Sequence, residues 1–334
     1  MKRIIILSVS LFLVFGCLYT DGLAQKKLAQ TGCQFLSVGT DARATAMGEA
    51  FTTVEGSSAS LFYNPAGMAR LNKTLELTAS QMKWIADINY IGGSMAIRPF
   101  HGRFGVLGVS FMSIDYGDLQ GTVVADNEQG FLDTGDFSPS AYAIGVGYAN
   151  DLTDRFSVGG QVKYVYQDLT SSVIPLNNEP PYITEEKDYH QGVYAFDFGT
   201  LYKTGFKSLA FGMCVRNFSR EVKYEREGFQ LPLTFKVGFS MDVMDLMPEM
   251  KNNHSLLLSI DAVHPRDFPE YLNIGGEYIF MKMLALRAGY VTAQDDYGLT
   301  AGFGVHTFGV AIDYSYMPFD VFDNVNRFTV KFSL

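Results

Sequence analysis

Tryptophan, cysteine and charge are all scarce in this sequence. Its 334 residues include 1 Trp and 3 Cys, and only 18 % are Asp, Glu, Lys or Arg. Soluble domains usually carry roughly a quarter of their residues as charges, so this chain has either a large core or a surface that faces lipid. The 35 acidic residues outnumber the 26 Lys and Arg, which gives a formal net charge of −9. That balance excludes a generic basic nucleic-acid binder.

Long apolar runs are missing after the first residues. Every later apolar stretch is interrupted by charge, Gly or Asn well before the roughly 18 residues that a membrane-spanning helix needs. In lipid the backbone must satisfy all its own hydrogen bonds, so the remaining way to span a membrane is a closed β-barrel.

The first residues have the pattern of a secretory signal peptide. Two basic residues precede an apolar run over residues 4–15. We expect residues 1–24 to be removed, with cleavage between Ala24 and Gln25, because small residues occupy the positions that signal peptidase reads. The alternative is lipoprotein cleavage before Cys17, where a bulky Phe occupies a position that is usually small.

Apolar and polar residues alternate along most of residues 71–334, as they do in strands with one apolar and one polar face. The spacing predicts fourteen strands near 71–83, 88–98, 102–115, 137–150, 154–170, 189–203, 207–217, 231–241, 253–263, 269–281, 283–292, 297–305, 307–317 and 323–334. An even number of strands of this length is typical of outer-membrane barrels. The fold class is therefore all-β, a 14-stranded antiparallel transmembrane β-barrel.

Short and long connections alternate between the predicted strands. The long ones, 116–136, 171–188 and 218–230, are expected outside the cell, and the tight ones in the periplasm. The connection over residues 242–252 is long although it lies on the periplasmic side, where the other connections are tight. We expect a small periplasmic helix there. The apolar face carries most of the 27 Phe and 19 Tyr, which favours contact with lipid. A secreted soluble β-sandwich or barrel is the alternative, because it also buries one face.

Charged residues of both signs fall on the polar face of the predicted strands. Opposite charges inside a lumen can pair across it, so a filled interior is expected rather than an open pore. The lumen-facing set is Lys163, Asp197, Arg216, Lys236, Asp261, Glu277, Arg287, Asp313 and Lys331.

The segment before the first strand does not alternate. Thr40 or Asp41 can cap a short Ala-rich helix over residues 42–50, and Asn64-Pro65 forces a turn. A helix of small residues can pack closely against other backbone, as a plug in a narrow lumen must.

Residues 35–71 resemble the start of the PorV/PorQ family, which is itself similar to the FadL-type outer-membrane transporters. The Ala-rich stretch 42–50, the small polar run 56–60 and the turn motif carry the resemblance; the motif comprises Asn64, Pro65, Ala66 and Gly67. The resemblance implies that residues 25–70 enter the lumen of the barrel as a hatch.

The resemblance also implies two functions. PorV-like proteins bind the C-terminal domains of type IX secretion cargo at the outer membrane and shuttle the cargo to attachment components, with the secretion translocon as a further partner. FadL-like proteins transport hydrophobic small molecules such as long-chain fatty acids. We expect the first function, with outer-membrane lipid around the barrel and no nucleic-acid partner, and keep the second as the alternative.

Motifs of catalysis and of metal or cofactor binding are missing from the sequence, so no enzyme activity, cofactor or metal is expected. An outer-membrane phospholipase would need a Ser and a His at adjacent outward positions, which the strand pattern does not provide. After signal-peptide removal Cys33 and Cys214 remain. They either form a disulfide that ties the hatch to the wall or are two buried free thiols.

Overall fold

A computed structural model describes residues 31–177, 182–247, 253–293, 298–320 and 322–334. The predicted signal peptide, its cleavage site and residues 25–30 of the predicted hatch lie outside these ranges. The segment from 31 to 71 is called the luminal segment below, and the rest of the described chain is almost entirely strand and turn.

The strands follow the predicted positions closely. They are β1 Leu75–Lys83, β2 Asn89–Ile97, β3 Val106–Asp115, β4 Leu119–Val124, β5 Phe131–Phe137, β6 Ser140–Asp151, β7 Phe156–Pro175, β8 Thr184–Lys203, β9 Ala210–Ser219, β10 Val222–Lys223, β11 Gly228–Phe229, β12 Thr234–Asp242, β13 His254–Pro265, β14 Tyr271–Phe280, β15 Leu284–Val291, β16 Leu299–Thr307, β17 Val310–Met317 and β18 Val325–Ser333. Fourteen of them close into one antiparallel barrel, in which β1 pairs with both β2 and β18. The predicted fold class is confirmed.

Two small hairpins lie outside the barrel wall, in connections that the sequence predicts as loops. Strands β4 and β5 pair within the connection from β3 to β6, and β10 pairs with β11 between β9 and β12. Strands β7 and β8 are also 20 residues each and extend well past the predicted ends near residues 170 and 189. Strands β4 and β5 and the ends of β7 and β8 were missed because neither face is consistently buried, so no apolar face alternates with a polar one. Strands β10 and β11, of two residues each, are too short to show a period.

The connections after β2, β6, β8, β14 and β16, which are predicted as tight, lie at the opposite end of the barrel from these hairpins. The turn after β16 is two residues later than predicted: β16 continues through His306, and Phe308 and Gly309 make the turn with positive φ. A 3₁₀ helix at Val243–Leu246 lies in the connection for which a small helix is expected.

The outer face of the wall is apolar and rich in aromatic side chains, as the alternation predicts. Phe328 and Tyr194 are 57 % and 62 % exposed, while their neighbours along each strand are buried. Apolar side chains in this arrangement would be unfavourable in water and are stabilised by lipid.

The remaining helices are short. One α-helix, α1, spans Ala42–Ala46, and 3₁₀ helices span Gln34–Ser37, Ser58–Phe62, Pro65–Arg70, Ile85–Asp87 and Pro99–Gly102. Helix α1 begins at the predicted cap, where the Asp41 carboxylate accepts from the Ala44 N–H at 3.0 Å. It ends before residue 50 because Gly48 and Glu49 adopt the left-handed conformation. In the described residues no helix has the length and apolar character to cross a membrane.

The luminal segment lies inside the barrel, and glycines in the wall let its backbone approach. A Cβ added to Gly289 on β15 would lie 2.1 Å from the Gly48 nitrogen, and one added to Gly275 on β14 would lie 2.3 Å from the Met47 oxygen. Neither position can hold a side chain while the luminal segment keeps its place.

We expect Gly289→Val to displace the luminal segment locally and to lower the free energy of unfolding by ~1–3 kcal/mol, the usual cost of overpacking. Urea unfolding in detergent micelles measures it. The control is Gly276→Val, since the Cβ at position 276 meets only a Leu258 methyl at 3.4 Å. Equal destabilisation by both variants would contradict the close approach.

Candidate functional site

A network of buried charges fixes the luminal segment to one side of the wall. The Arg43 guanidinium on α1 donates to both carboxylate oxygens of Glu277 on β14, at 2.7 and 2.6 Å. Arg287 on β15 donates to Glu277 at 2.6 Å and to Asp313 on β17 at 2.7 Å. Glu277, Arg287 and Asp313 are each no more than 4 % exposed. The wall supplies two carboxylates and one guanidinium to this network, and Arg43 supplies the second cation. The cost of burying these charges is therefore offset only while Arg43 stays in place.

Backbone N–H groups of the luminal segment satisfy carboxylates elsewhere on the wall. One oxygen of Asp261 on β13 accepts from the N–H groups of Phe51 and Thr52, both at 2.9 Å, and from the Thr52 hydroxyl at 2.7 Å. Glu76 on β1 accepts from the Ser58 N–H at 2.8 Å. Hydrogen bonds to an ionised acceptor are stronger than neutral ones. These contacts therefore fix the orientation of the luminal segment and also satisfy the hydrogen-bonding groups on both sides.

A third charged cluster lies on the wall itself. The Lys163 ammonium on β7 is 2.8 Å from the Asp197 carboxylate on β8 and 2.6 Å from the Asn217 amide oxygen. Asp197 also accepts from the Asn217 N–H at 2.7 Å, next to a register shift between β8 and β9. The cluster therefore holds an irregular stretch of the wall.

The turn motif lies where the luminal segment meets β8. Asn64 caps the 3₁₀ helix Pro65–Arg70 by accepting from the Ala66 N–H at 3.1 Å, and its amide donates to the carbonyls of Thr52 and Thr200 at 2.7 and 3.1 Å. Gly67 has no room for a side chain, because a Cβ there would lie 2.6 Å from the Val54 oxygen. The motif joins two parts of the luminal segment to each other and to the wall.

All of the lumen-facing set lie on the inner face of the wall. Glu277, Arg287 and Asp313 share one network, Lys163 and Asp197 share another, and Asp261 lies apart from both. Arg216 and Lys236 line a cavity instead.

Sequence reasoning missed Arg327 on β18, which is 1 % exposed and donates to the Thr45 hydroxyl at 2.7 Å. Arg327 lies on the same face of the strand as Lys331, four residues later. The alternation of the last strand could therefore have identified Arg327 as a lumen-facing residue.

Of the two possibilities for Cys33 and Cys214, the disulfide does not form. Both are buried free thiols, which was the alternative. The Cys33 thiol donates to the Gln167 amide oxygen at 3.4 Å, and the Cys214 thiol donates to the Tyr63 carbonyl at 3.1 Å. The two side chains lie against different parts of the wall, so each behaves as a small buried side chain with a weak donor.

The cavity between the luminal segment and the wall has a volume of about 290 Å³. Charged and amide side chains form much of its lining, including Arg216, Lys236 and Asn273, and Trp84, Phe268 and Tyr271 add aromatic surface. The lining is therefore mixed, with charged and amide side chains interrupting the apolar surface.

A second and larger concave surface lies outside the barrel wall. The hairpin β4–β5 and the extended ends of β7 and β8 enclose a groove of about 740 Å³, lined mainly by hydroxyl, amide and glycine residues together with Phe137, Asp136 and Glu186. We call the hairpin, the extended ends of β7 and β8 and the hairpin β10–β11 the outer platform. The groove is its main recess.

Two of the three parts of the outer platform are strongly acidic. Residues 116–139 contain five carboxylates and no Lys, Arg or His, and residues 171–188 contain four carboxylates and one Lys. The Gly135 N–H and the Gln120 amide donate to Asp133 and hold the pKa of its carboxyl below the usual range. Asp133 therefore stays ionised at neutral pH beside the groove, whose own lining carries the carboxylates of Asp136 and Glu186.

The luminal segment reaches the outer platform directly. The Gly32 N–H donates to the Gln230 carbonyl at 3.0 Å, next to β11. Gln167 accepts from Cys33 at 3.4 Å and from the Tyr224 hydroxyl at 3.3 Å, and the Tyr224 ring stacks on Phe229. The inside of the barrel and the platform thus share side-chain contacts.

Solved structures with the same architecture include two toluene transporters and a FadL homologue. The toluene transporter TbuX of Ralstonia pickettii has a TM-score of 0.59 at 13 % identity, covering 89 % of this chain and 98 % of that one. The toluene transporter TodX of Pseudomonas putida has a TM-score of 0.57 at 12 % identity, covering 92 % and 98 %. A FadL homologue of Pseudomonas aeruginosa has a TM-score of 0.52 at 10 % identity, covering 92 % and 99 %. At these identities the likeness shows the fold alone.

The closed wall and its apolar exterior define a β-barrel membrane protein with a filled lumen, and the architecture supports the outer membrane as its location. A family model described as type IX secretion system membrane protein PorP/SprF matches residues 120–321. The chain belongs to the PorP/SprF family. The match begins after residues 35–71, the block that resembles PorV/PorQ. The relationship to PorV/PorQ therefore stays a prediction. No curated protein matches the chain.

We expect Arg43→Met to release the luminal segment, because it leaves the Glu277 carboxylate with one cationic partner fewer in a buried site. Breaking such a pair costs ~3–5 kcal/mol. Ion conductance in planar bilayers measures the release: the variant should show open-channel events that the native protein lacks.

The control is Lys83→Met, which removes a pair with Asp87 in which the Lys83 side chain is 72 % exposed. It should leave the conductance unchanged. Equal conductance of the native protein and Arg43→Met would contradict the role of the pair.

Proposed function

We propose that the protein binds cargo of the type IX secretion system on its outer platform and takes part in delivering that cargo across the outer membrane. The acidic groove between the hairpin β4–β5 and the ends of β7 and β8 is the observation that carries the proposal. Membership of the PorP/SprF family supports it, since the family is defined by that secretion system.

The contents of the lumen support a binding function rather than conduction. Helix α1 packs on β15, β16, β17 and β18, and the two 3₁₀ helices that follow residue 57 pack on β1, β2, β3, β6, β7 and β8. Asp261 of β13 binds the segment between them. Movement of the segment would break these contacts together, so a static lumen and an active platform are the simpler arrangement.

The finer role proposed here is that of a PorV/PorQ-like shuttle. The protein would capture the C-terminal domain of a cargo and pass it to attachment components, with the translocon as a further partner and no catalysis of its own. A secretory signal peptide over residues 1–24 would deliver the chain to the outer membrane. The contacts of Cys33 with Gln167 and of Gly32 with Gln230, at the base of the platform, would let the luminal segment support the loops that bind cargo.

Transport of hydrophobic small molecules is the second candidate. It is supported by the shared fold with the two toluene transporters and by an apolar groove of about 490 Å³ on the outer wall between β12 and β14. Transport would require a route from that groove through the wall, whereas the cavity inside carries three cationic side chains, those of Arg216, Lys236 and Arg327.

Charge reversal in the groove tests the first proposal. Asp136→Lys combined with Glu186→Lys should weaken binding of a cargo C-terminal domain to the purified protein by about 10-fold or more, the equivalent of ~1.4 kcal/mol. The physical reason is that a partner suited to an acidic surface meets repulsion at the new lysines. Biolayer interferometry with the detergent-purified barrel measures the dissociation constant.

The control is Asp154→Lys, a single charge reversal of the same kind on an exposed residue in a tight turn at the other end of the barrel. It should bind cargo as the native protein does. Equal loss in both variants would show a general effect of charge. Undiminished binding by the double variant, or toluene uptake without any cargo binding, would refute the proposal.

A further inference from the structure

We propose that the cavity between the luminal segment and the wall is a binding site for a short carboxylate ligand that also carries an N–H donor, such as an amino acid or the C-terminal residue of a peptide. The inference does not depend on the proposed function, because it rests on the cavity alone. The side chains that carry it are Arg216, Lys236, Arg327, Asn273 and Glu49, with Trp84 beside them.

Cationic side chains converge on this cavity from three different strands. Arg216 comes from β9, Lys236 from β12 and Arg327 from β18. Lys236 and Arg327 are 5 % and 1 % exposed, so both charges are almost wholly withdrawn from bulk solvent. A guanidinium presents its donors in a fixed plane that matches a carboxylate.

Polar atoms in the lining lack hydrogen-bond partners. Asn273 on β14 is 1 % exposed, and neither its amide nitrogen nor its amide oxygen is bonded within the described residues. The Nε of Arg216 also has no hydrogen-bond partner within the described residues. A buried amide without a hydrogen-bond partner destabilises a fold, so a polar group that enters the cavity and bonds to it would recover that free energy.

The acidic side chains of the lining limit which ligands the cavity can bind. Glu49 lies on the luminal side of the cavity, with one oxygen accepting from the Thr45 hydroxyl at 3.0 Å. Asp267 accepts from the Thr31 hydroxyl and the Gln34 amide, both at 2.6 Å, and is already engaged. The Glu49 carboxylate disfavours a dianion such as phosphate and suits a ligand that offers a donor next to its own carboxylate.

The size of the cavity favours a short ligand. Its volume of about 290 Å³ lies at the lower end of the ~300–1,000 Å³ range of ligand pockets. One amino acid or the last residue of a peptide would meet the cationic groups, while the aromatic surface of Trp84 and Tyr271 would cover the apolar part. A long acyl chain would have to lie against charged walls.

Trp84 reports binding directly, because it lines the cavity and the chain has 1 Trp. The full-length protein in detergent micelles is titrated with N-acetylglycine, with tetra-alanine and with tetra-alanine amidated at its C-terminus, following Trp84 emission. We expect a saturable change with one or both free carboxylates and none with the amide. Tighter binding of N-acetylglycine identifies a small-molecule source, and tighter binding of tetra-alanine a peptide terminus.

Two variants localise the site. Arg216→Gln should raise the dissociation constant at least 10-fold, with Arg103→Gln in an exposed turn as its control. Asn273→Leu should weaken binding while raising the unfolding midpoint, because it removes an unsatisfied amide and breaks no hydrogen bond of the described structure.

Three results would overturn the inference. They are no saturable change with either free carboxylate, equal binding of the amidated peptide, and Asn273→Leu binding as tightly as the native protein. Tighter binding of dodecanoate than of N-acetylglycine would likewise refute the preference for a short ligand.

Discussion

Closing a wall of alternating residues creates a lumen lined with polar groups, and satisfying those groups is the constraint on which the structure depends. The apolar outer face follows from the same alternation that brings Glu277, Arg287, Asp313 and Asp261 inside. Charges withdrawn from water are tolerable only with close partners. The luminal segment supplies them, through the bidentate Arg43 contact and through the backbone N–H groups that bind Asp261. The barrel and its contents are thus one electrostatic unit.

Much of the fold could be predicted from the sequence because a barrel wall has a strong period of two. All fourteen wall strands were located, and the inward phase of Lys163, Asp197 and the Glu277 network followed from it. The period loses its meaning where both faces meet water, which is why β4, β5 and the extended ends of β7 and β8 were missed. Spacing also cannot say which inward groups meet: it placed Cys33 and Cys214 in the same lumen but could not show that each thiol has a different partner.

The arrangement separates two surfaces with different chemistry. Inside, paired charges and the turn at Asn64 hold the luminal segment against the wall. Outside, an acidic groove stands on long strands that need no lipid contact, where it can meet a protein partner. The same architecture serves toluene transporters, so fold alone does not decide function. Family membership and the groove favour a role in type IX secretion.

We expect the luminal segment to stay in place while the outer platform binds cargo, and a covalent lock on the segment is the decisive experiment. Ser58 and Ser94 offer a lock, because their hydroxyl oxygens are 2.9 Å apart between the luminal segment and β2. Cells that depend on a chain carrying Ser58→Cys and Ser94→Cys would be assayed for surface display of cargo with the pair oxidised and reduced, beside each single variant. Equal display in the oxidised and reduced states is the expected result. Loss of display on oxidation, restored by a reductant and absent from the single variants, would contradict it.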